Sequence, residues 1–164
     1  MKKYSKQDQR LLAIWAVDCA ERALPFFEKE YPRDDRPRKA LETCRTWIST
    51  GLFRMSEIRE ASLAAHAAAR EAKEKNMAAC FAARAAGQAV ATAHVPQHAL
   101  GCAYYTLKAT AASDPVNANE RITGERNWIA QHLPENLRRE VLSRIIIEKC
   151  GDRFFIKIQK NKDF

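Results

Sequence analysis

Residues 61–112, ASLAAHAAAREAKEKNMAACFAARAAGQAVATAHVPQHALGCAYYTLKATAA, decide the fold. Of these 52 residues, 21 are alanine. Alanine is the strongest helix former because it loses no side-chain entropy on folding. Its methyl group also lets helix axes approach closely, and Gly87 extends that opportunity. An isolated arm of this composition has too little apolar area to stand alone, so the segment is expected at the centre of the molecule. Leu63, Met77, Phe81, Val90, Leu100, Tyr104, Tyr105 and Leu107 supply its larger knobs. Asn76 and Pro96 divide it into three helices: one from a cap at Ser56 to about Lys75, one to about His94, and one ending near Ser113.

Towards the N-terminus, Ser5 with Asp8 three residues later predicts a capped helix start. Leu11, Leu12, Trp15, Asp18, Cys19 and Arg22 then share one broad face, and Pro25 kinks or ends the helix. A second helix follows in RDDRPRKALETCRTWISTG, with Asp35 in cap position, Pro37 in the first turn and Gly51 as its stop. Its buried stripe is Leu41, Cys44 and Ile48, with Trp47 alongside. Towards the C-terminus, SDPVNAN is a loop. ERITGERNWIAQHL and PENLRREVLSRIIIEK read as two further helices, the second opened by Pro134. Gly151 ends the helical pattern, and Phe154, Ile156 and Ile158 alternate at period two, which predicts a short extended segment with no evident partner strand. The fold class is therefore all-α: one domain over 1–164, either a helical bundle or a short α-superhelix of about six to seven helices, built around the third and fourth. Residues 1–112 form its core and 113–164 its C-terminal helices and tail.

Hydrophobic residues make up 46% of the chain and charged residues 29%, an ordinary globular balance. The net charge is +8 and the pI about 9.4. Lys and Arg recur singly, usually with an acid nearby, which reads as solvated helix faces more than as a phosphate-binding surface. Residues 135–163 carry eight basic side chains (Arg138, Arg139, Arg144, Lys149, Arg153, Lys157, Lys160, Lys162) against five acidic ones, too mild an excess for a phosphate-binding face. Cys19, Cys44, Cys80, Cys102 and Cys150 are widely spaced, which predicts reduced, buried thiols in a cytoplasmic protein. The apolar run after the basic start is cut by Asp18, Glu21 and Arg22, no cleavage site follows, and no stretch approaches the ~20 apolar residues of a membrane span.

His94 and His98 are four apart, the spacing of a helical metal pair. Pro96 between them disrupts the helix, and HVPQH lacks the glutamate that activates zinc-bound water. No metal and no cofactor are expected. His66 and Arg70, with Arg59 near their face, and the succession Cys80, Arg84 and Gln88 place polar groups among alanines. Asp18 is the evident counter-charge, so it is expected to meet Arg38, His66, Arg70 or Arg84 across the core. Such a cluster is either a structural ion-pair network or, less favourably, a catalytic one. No phosphate loop, nucleophile elbow or paired-carboxylate motif supports catalysis.

The phrases DCAE, LPFFE, DDRPRKALE, AHAAAR and ATAHVPQHA occur together between residues 11 and 110. In this combination the segment resembles a family of bacterial immunity proteins, the immunity-family-five-like group of polymorphic toxin systems. The resemblance implies an all-helical domain that binds and neutralises a cognate toxin without chemistry. It makes Asp18, Arg38, His66, Arg70, Arg84, His94 and His98 the signature polar positions. Gln88 stands where the family pattern leads one to expect another histidine. Immunity proteins against basic nucleases are expected to be acidic, so a chain at +8 suits a toxin of neutral or acidic surface. A helical nucleic-acid-binding module is the alternative, an enzyme using the His/Arg/Asp cluster comes third, and a homo-oligomer stays open.

Overall fold

The structure, a computed structural model, describes residues 4–151 and 153–159, Arg153 by its backbone alone. Seven helices run in chain order: α1 (Lys6–Glu28), α2 (Arg36–Thr50), α3 (Met55–Ala72), α4 (Met77–Ala91), α5 (His98–Ser113), α6 (Ala118–His132) and α7 (Glu135–Arg144). A hairpin of β1 (Ile145–Cys150) and β2 (Arg153–Ile158) follows. Ser5 and Asp8 form the expected reciprocal cap: the Asp8 N–H donates to Ser5 Oγ at 3.0 Å and the Ser5 N–H to Asp8 Oδ2 at 3.2 Å. Pro25 lies in the last turn of α1 without ending it. Gly51 closes α2 in the left-handed region, φ 70°, with its N–H on the Trp47 carbonyl. Asp35 holds the cap position of α2 but makes no cap bond. Ser56 does not cap α3: Arg54 takes that position and Ser56 falls inside the first turn. Asn76 caps α4 by accepting the Ala79 N–H at 2.9 Å.

The fourth helix occupies the centre, in contact with α1, α2, α3 and α5. Ala78, Ala79, Cys80, Ala82, Ala83, Ala85, Ala86, Ala89 and Val90 are all buried, so it is enclosed almost all round, as a helix without a polar face must be. The third helix is not central as the alanine content predicted. It contacts α2 and α4 and turns Leu63 to solvent, 54% exposed, while Met77 at the start of α4 is also exposed. The close approach of the helices shows in bonds between them. Cys102 Sγ donates to the Ala16 carbonyl at 3.0 Å, Thr106 Oγ1 to that of Cys19 at 3.2 Å, and Cys44 Sγ to that of Ala89 at 3.4 Å. A short thiol or hydroxyl reaches a neighbouring helix's backbone only where methyls line the contact.

Larger side chains close the other flank. Ile122, Ile129, Leu133, Leu137, Val141 and Ile145 join the main core with Leu12, Trp15, Val17 and Leu107. The Trp15 indole N–H donates to the Ile129 carbonyl at 3.0 Å. Arg22 clamps α1 to α6 through both carboxylate oxygens of buried Glu125, at 2.8 and 2.9 Å, with Trp128 beneath its guanidinium. The expected last helix over 134–149 stops at Arg144. Three consecutive isoleucines begin there, and β-branched side chains fit a strand better than a helix. The period-two segment finds its partner within the chain: Ile145 faces Ile158 and Ile147 faces Ile156 across an antiparallel pair, turned by Gly151 at φ 60°. The first four cysteines are buried, whereas Cys150, expected buried in a helix, is exposed on β1. Among the described residues, no helix is long and apolar enough to cross a membrane.

Candidate functional site

Five of the predicted polar residues, His66, Arg70, Arg84, His94 and His98, come together where α3, α4 and the start of α5 meet. His66 lies over Gly87. A Cβ there would stand 2.9 Å from His66 Nε2, so only glycine lets the ring rest on the α4 backbone. Ser62, one turn earlier, donates to the Gly87 carbonyl at 3.0 Å. His98 Nδ1 meets Gln88 Oε1 at 2.7 Å, and because that oxygen only accepts, Nδ1 carries the proton. His94, in the turn after α4, stacks on Phe53 from the α2–α3 loop. Burial holds His66 below the ordinary histidine range, with Arg84, Arg70 and His98 adding repulsion. His98 is lowered by burial first and by His94 second.

Among the described residues no carboxylate forms an ion pair with a member of this cluster, although Glu71 lies close enough to Arg70 to feel its charge. Arg84 Nη1 donates to the Tyr105 hydroxyl at 3.2 Å and its guanidinium faces the Tyr105 ring, while its buried Nε has no partner among the described residues. Arg70 is exposed near His66. Asp18 was the expected counter-charge, and the structure places it elsewhere. Leu12, Trp15 and Cys19 take the inward positions of α1 and leave Asp18 at the border, where Arg45 of α2 stands 3.7 Å away. Burial raises the Asp18 pKa and Arg45 opposes the shift. None of Arg38, His66, Arg70 and Arg84 pairs with it. Arg38 instead holds Glu28 through both oxygens at the end of α1.

Two open hollows adjoin the histidines and share His94 as a wall. One, of about 700 Å³, is lined by Lys6, Gln9, Arg10, Trp47, Phe53 and His94, among others. The second, of about 370 Å³, lies between α3 and α4 and includes Met55, Arg59, Leu63, His66, Gln88 and His98. Sequence reasoning missed this surface because it counted Leu63 as a core knob. The phase of α3 would have corrected it: Leu63 precedes buried Ala65 by two residues, about 200° around a helix.

Of the remaining basic candidates Arg139 is exposed, and several others have structural roles. Arg138 donates to the carbonyls of Gln131 and Leu133, Arg144 is buried, Lys157 pairs with Glu148 and Lys149 lies over Phe154. The Arg153 side chain, Lys160 and Lys162 lie outside the described residues. Burial pushes the Cys44 thiol up to about 12 and also raises those of Cys19 and Cys102, which keeps them protonated. Among the described residues, no group of three or more His, Cys, Asp and Glu side chains is placed to hold a metal ion.

Residues 2–136 match the model of a protein family described as "Imm-5 like putative immunity protein". The match meets the resemblance read from residues 11–110 and passes beyond it at both ends, through α6 and into α7. No curated protein and no solved structure matches the chain.

Proposed function

The chain belongs to the Imm-5-like family of immunity proteins, and on that premise we propose that it binds a cognate toxin and neutralises it by occlusion, without chemistry of its own. The observation that carries the reading is the family match over residues 2–136. The chemistry of the site is consistent with it. Histidines kept neutral without a carboxylate partner and thiols kept protonated make a poor acid–base or nucleophilic centre. The net charge of +8 suits a toxin of neutral or acidic surface, met in the cytoplasm as part of a polymorphic toxin system. The chain acts as one domain, with 113–164 closing the helical core of 1–112.

Co-expression with the product of the adjacent gene tests this. Cells that survive the toxin only when the chain is present, together with co-purification of the two proteins, support the reading. A toxin that kills regardless and does not co-purify overturns it. A second reading, a helical nucleic-acid-binding module, is favoured by one surface: Lys108 lies over the rings of Phe81 and Tyr104 next to Arg84 on Tyr105. Retention on RNA or DNA that falls steeply with salt would favour it, and salt-independent absence of retention would dismiss it.

A further inference from the structure

Among the described residues, half of the exposed large apolar side chains fall in one short segment. Leu52, Phe53, Met55 and Leu63 are 67%, 45%, 44% and 54% exposed, and all lie between the end of α2 and the middle of α3. Phe53, Met55 and Leu63 share one surface around His94, and Leu52 precedes Phe53 in the chain. Phe53 lines the hollow beside α1, Met55 and Leu63 line the hollow between α3 and α4, and His94 walls both. A contiguous apolar surface at the rim of two hollows marks a place that another molecule covers.

Charge says which kind of molecule. Lys6 and Arg10 stand on one wall and Arg59 on the other, and no Asp or Glu lines either hollow among the described residues. Several cations elsewhere are matched, Arg22 with Glu125, Arg36 with Asp34 and Glu71, Arg38 with Glu28 and Arg45 with Glu21, while others such as Arg70 and Arg126 stand unpaired among the described residues. Lys6, Arg10 and Arg59 have no ion-pair partner among the described residues. We propose that this groove is where the toxin docks, and that it takes an acidic segment whose apolar side chain enters one of the hollows. The inference rests on the immunity reading and adds to it the surface and the chemistry of the partner. A second copy of this chain is the wrong occupant, because a symmetric pairing would set the same basic rim against itself. The phosphate backbone of a nucleic acid would match the charge but leave Leu52, Met55 and Leu63 uncovered.

The test uses the full-length chain and the toxin domain encoded by the adjacent gene, with affinity measured by calorimetry. The variants are Leu63→Glu and Arg10→Glu, both on exposed side chains, with Arg126→Glu on exposed α6 as the control. Each variant's circular dichroism and melting temperature are compared with wild type to establish that the fold is kept. Leu63→Glu and Arg10→Glu are each expected to weaken binding by about tenfold or more, Arg126→Glu by less than about twofold. Arg10→Glu should also reduce the dependence of the association rate on ionic strength. If wild type binds and both groove variants bind as tightly, the groove is not the interface while the immunity reading stands. Failure of wild type itself to bind or protect overturns that reading, and the proposed occupant with it. A wild-type dimer in light scattering that Leu63→Glu splits would assign the groove to a second copy and overturn the proposal.

Discussion

Around α4 the buried side chains facing α3 and α5 are methyls: Ala68, Ala69, Ala72, Ala79, Ala82, Ala83 and Ala109 form one cluster with Ala23, Phe27 and Cys80. Where α6 and α7 close the molecule they are Ile122, Ile129, Leu133, Leu137 and Val141. Each alanine buries only one methyl, so it contributes little transfer free energy of its own. What it contributes is closeness, visible in the side chains of Cys44, Cys102 and Thr106 reaching carbonyls on neighbouring helices. The C-terminal flank gains more from each side chain and tolerates wider helix spacing. The alanine layer should therefore fail by overfilling and the C-terminal flank by emptying.

Ile129→Ala should give the largest effect. Ile129 is fully buried, and its truncation leaves a cavity beside Trp15, whose indole bonds the Ile129 carbonyl. A loss of about 2–5 kcal/mol in urea-unfolding free energy is expected. Ala83→Leu tests the other side. Ala83 is 0% exposed in the methyl cluster, and three added carbons should cost about 1–3 kcal/mol by forcing α3, α4 and α5 apart. If Ala83→Leu is neutral while Ile129→Ala is not, the layer is loose and the contrast disappears.

The clamp between α1 and α6 offers an asymmetric pair. The Arg22 side chain is 40% exposed and that of Glu125 only 8%. Removing the arginine strands a buried carboxylate, whereas neutralising the glutamate leaves the guanidinium partly in water. Arg22→Ala should cost about 1–3 kcal/mol and Glu125→Gln about 1 kcal/mol or less. Equal costs in chemical denaturation would mean that stacking on Trp128 dominates over the ion pair.

Helix count and type were legible in the sequence because alanine content, caps at Ser5 and Asn76 and the stop at Gly51 are local signals. The C-terminal hairpin was half legible. Period two marked residues 154–158, but Ile145, Ile146 and Ile147 carry no alternation and were read as helix, although three β-branched residues together oppose one. The site was less legible still. His66, Arg70, Arg84, His94 and His98 do converge: i, i+4 spacing fixes the faces of the members on α3 and α4, while His94 and His98 arrive from the turn after α4 and the start of α5. Asp18 could not be placed, since which neighbour an α1 border position meets depends on how α2 crosses it. Arg45, its actual neighbour, carries no distinguishing local pattern.

Two glycines refine the overfilling argument. A Cβ on Gly87 would meet the ring of His66 at 2.9 Å, and one on Gly101 would meet Gln88 Oε1 at 2.6 Å. The shorter contact is the cheaper one, because the end of a glutamine side chain swings away and an imidazole pinned between helices does not. Alanine also gains about 1 kcal/mol over glycine within a helix. Gly101→Ala should change stability by less than about 0.5 kcal/mol, the lost Gln88–His98 bond offsetting the helical gain. Gly87→Ala should destabilise by about 1 kcal/mol despite that gain. A stabilised Gly87→Ala would show that His66 moves freely, and that the layer is less tightly filled than its burial suggests.

The smallest effect is acid sensitivity confined to the same layer. His66 and His98 are both held below the ordinary value, by burial first, with Arg84, Arg70 and His98 acting on His66 and His94 on His98. A histidine lowered in the folded state takes up its proton more readily when unfolded. Its contribution is therefore complete above about pH 6.5 and falls as pH drops towards the folded value. Asp34, Glu71 and Asp114 are lowered carboxylates whose losses begin only in more acidic solution, as the pH falls into the ordinary carboxylate range. Raised Asp18 acts with the opposite sign, gaining stability as it protonates. Urea unfolding between pH 8 and pH 5 should accordingly show stability declining below neutrality, and His98→Gln should flatten part of that decline. Stability that stays level or rises towards pH 5 in wild type would mean that the two imidazoles are hydrated, and that the methyl layer is open to water at its histidine end.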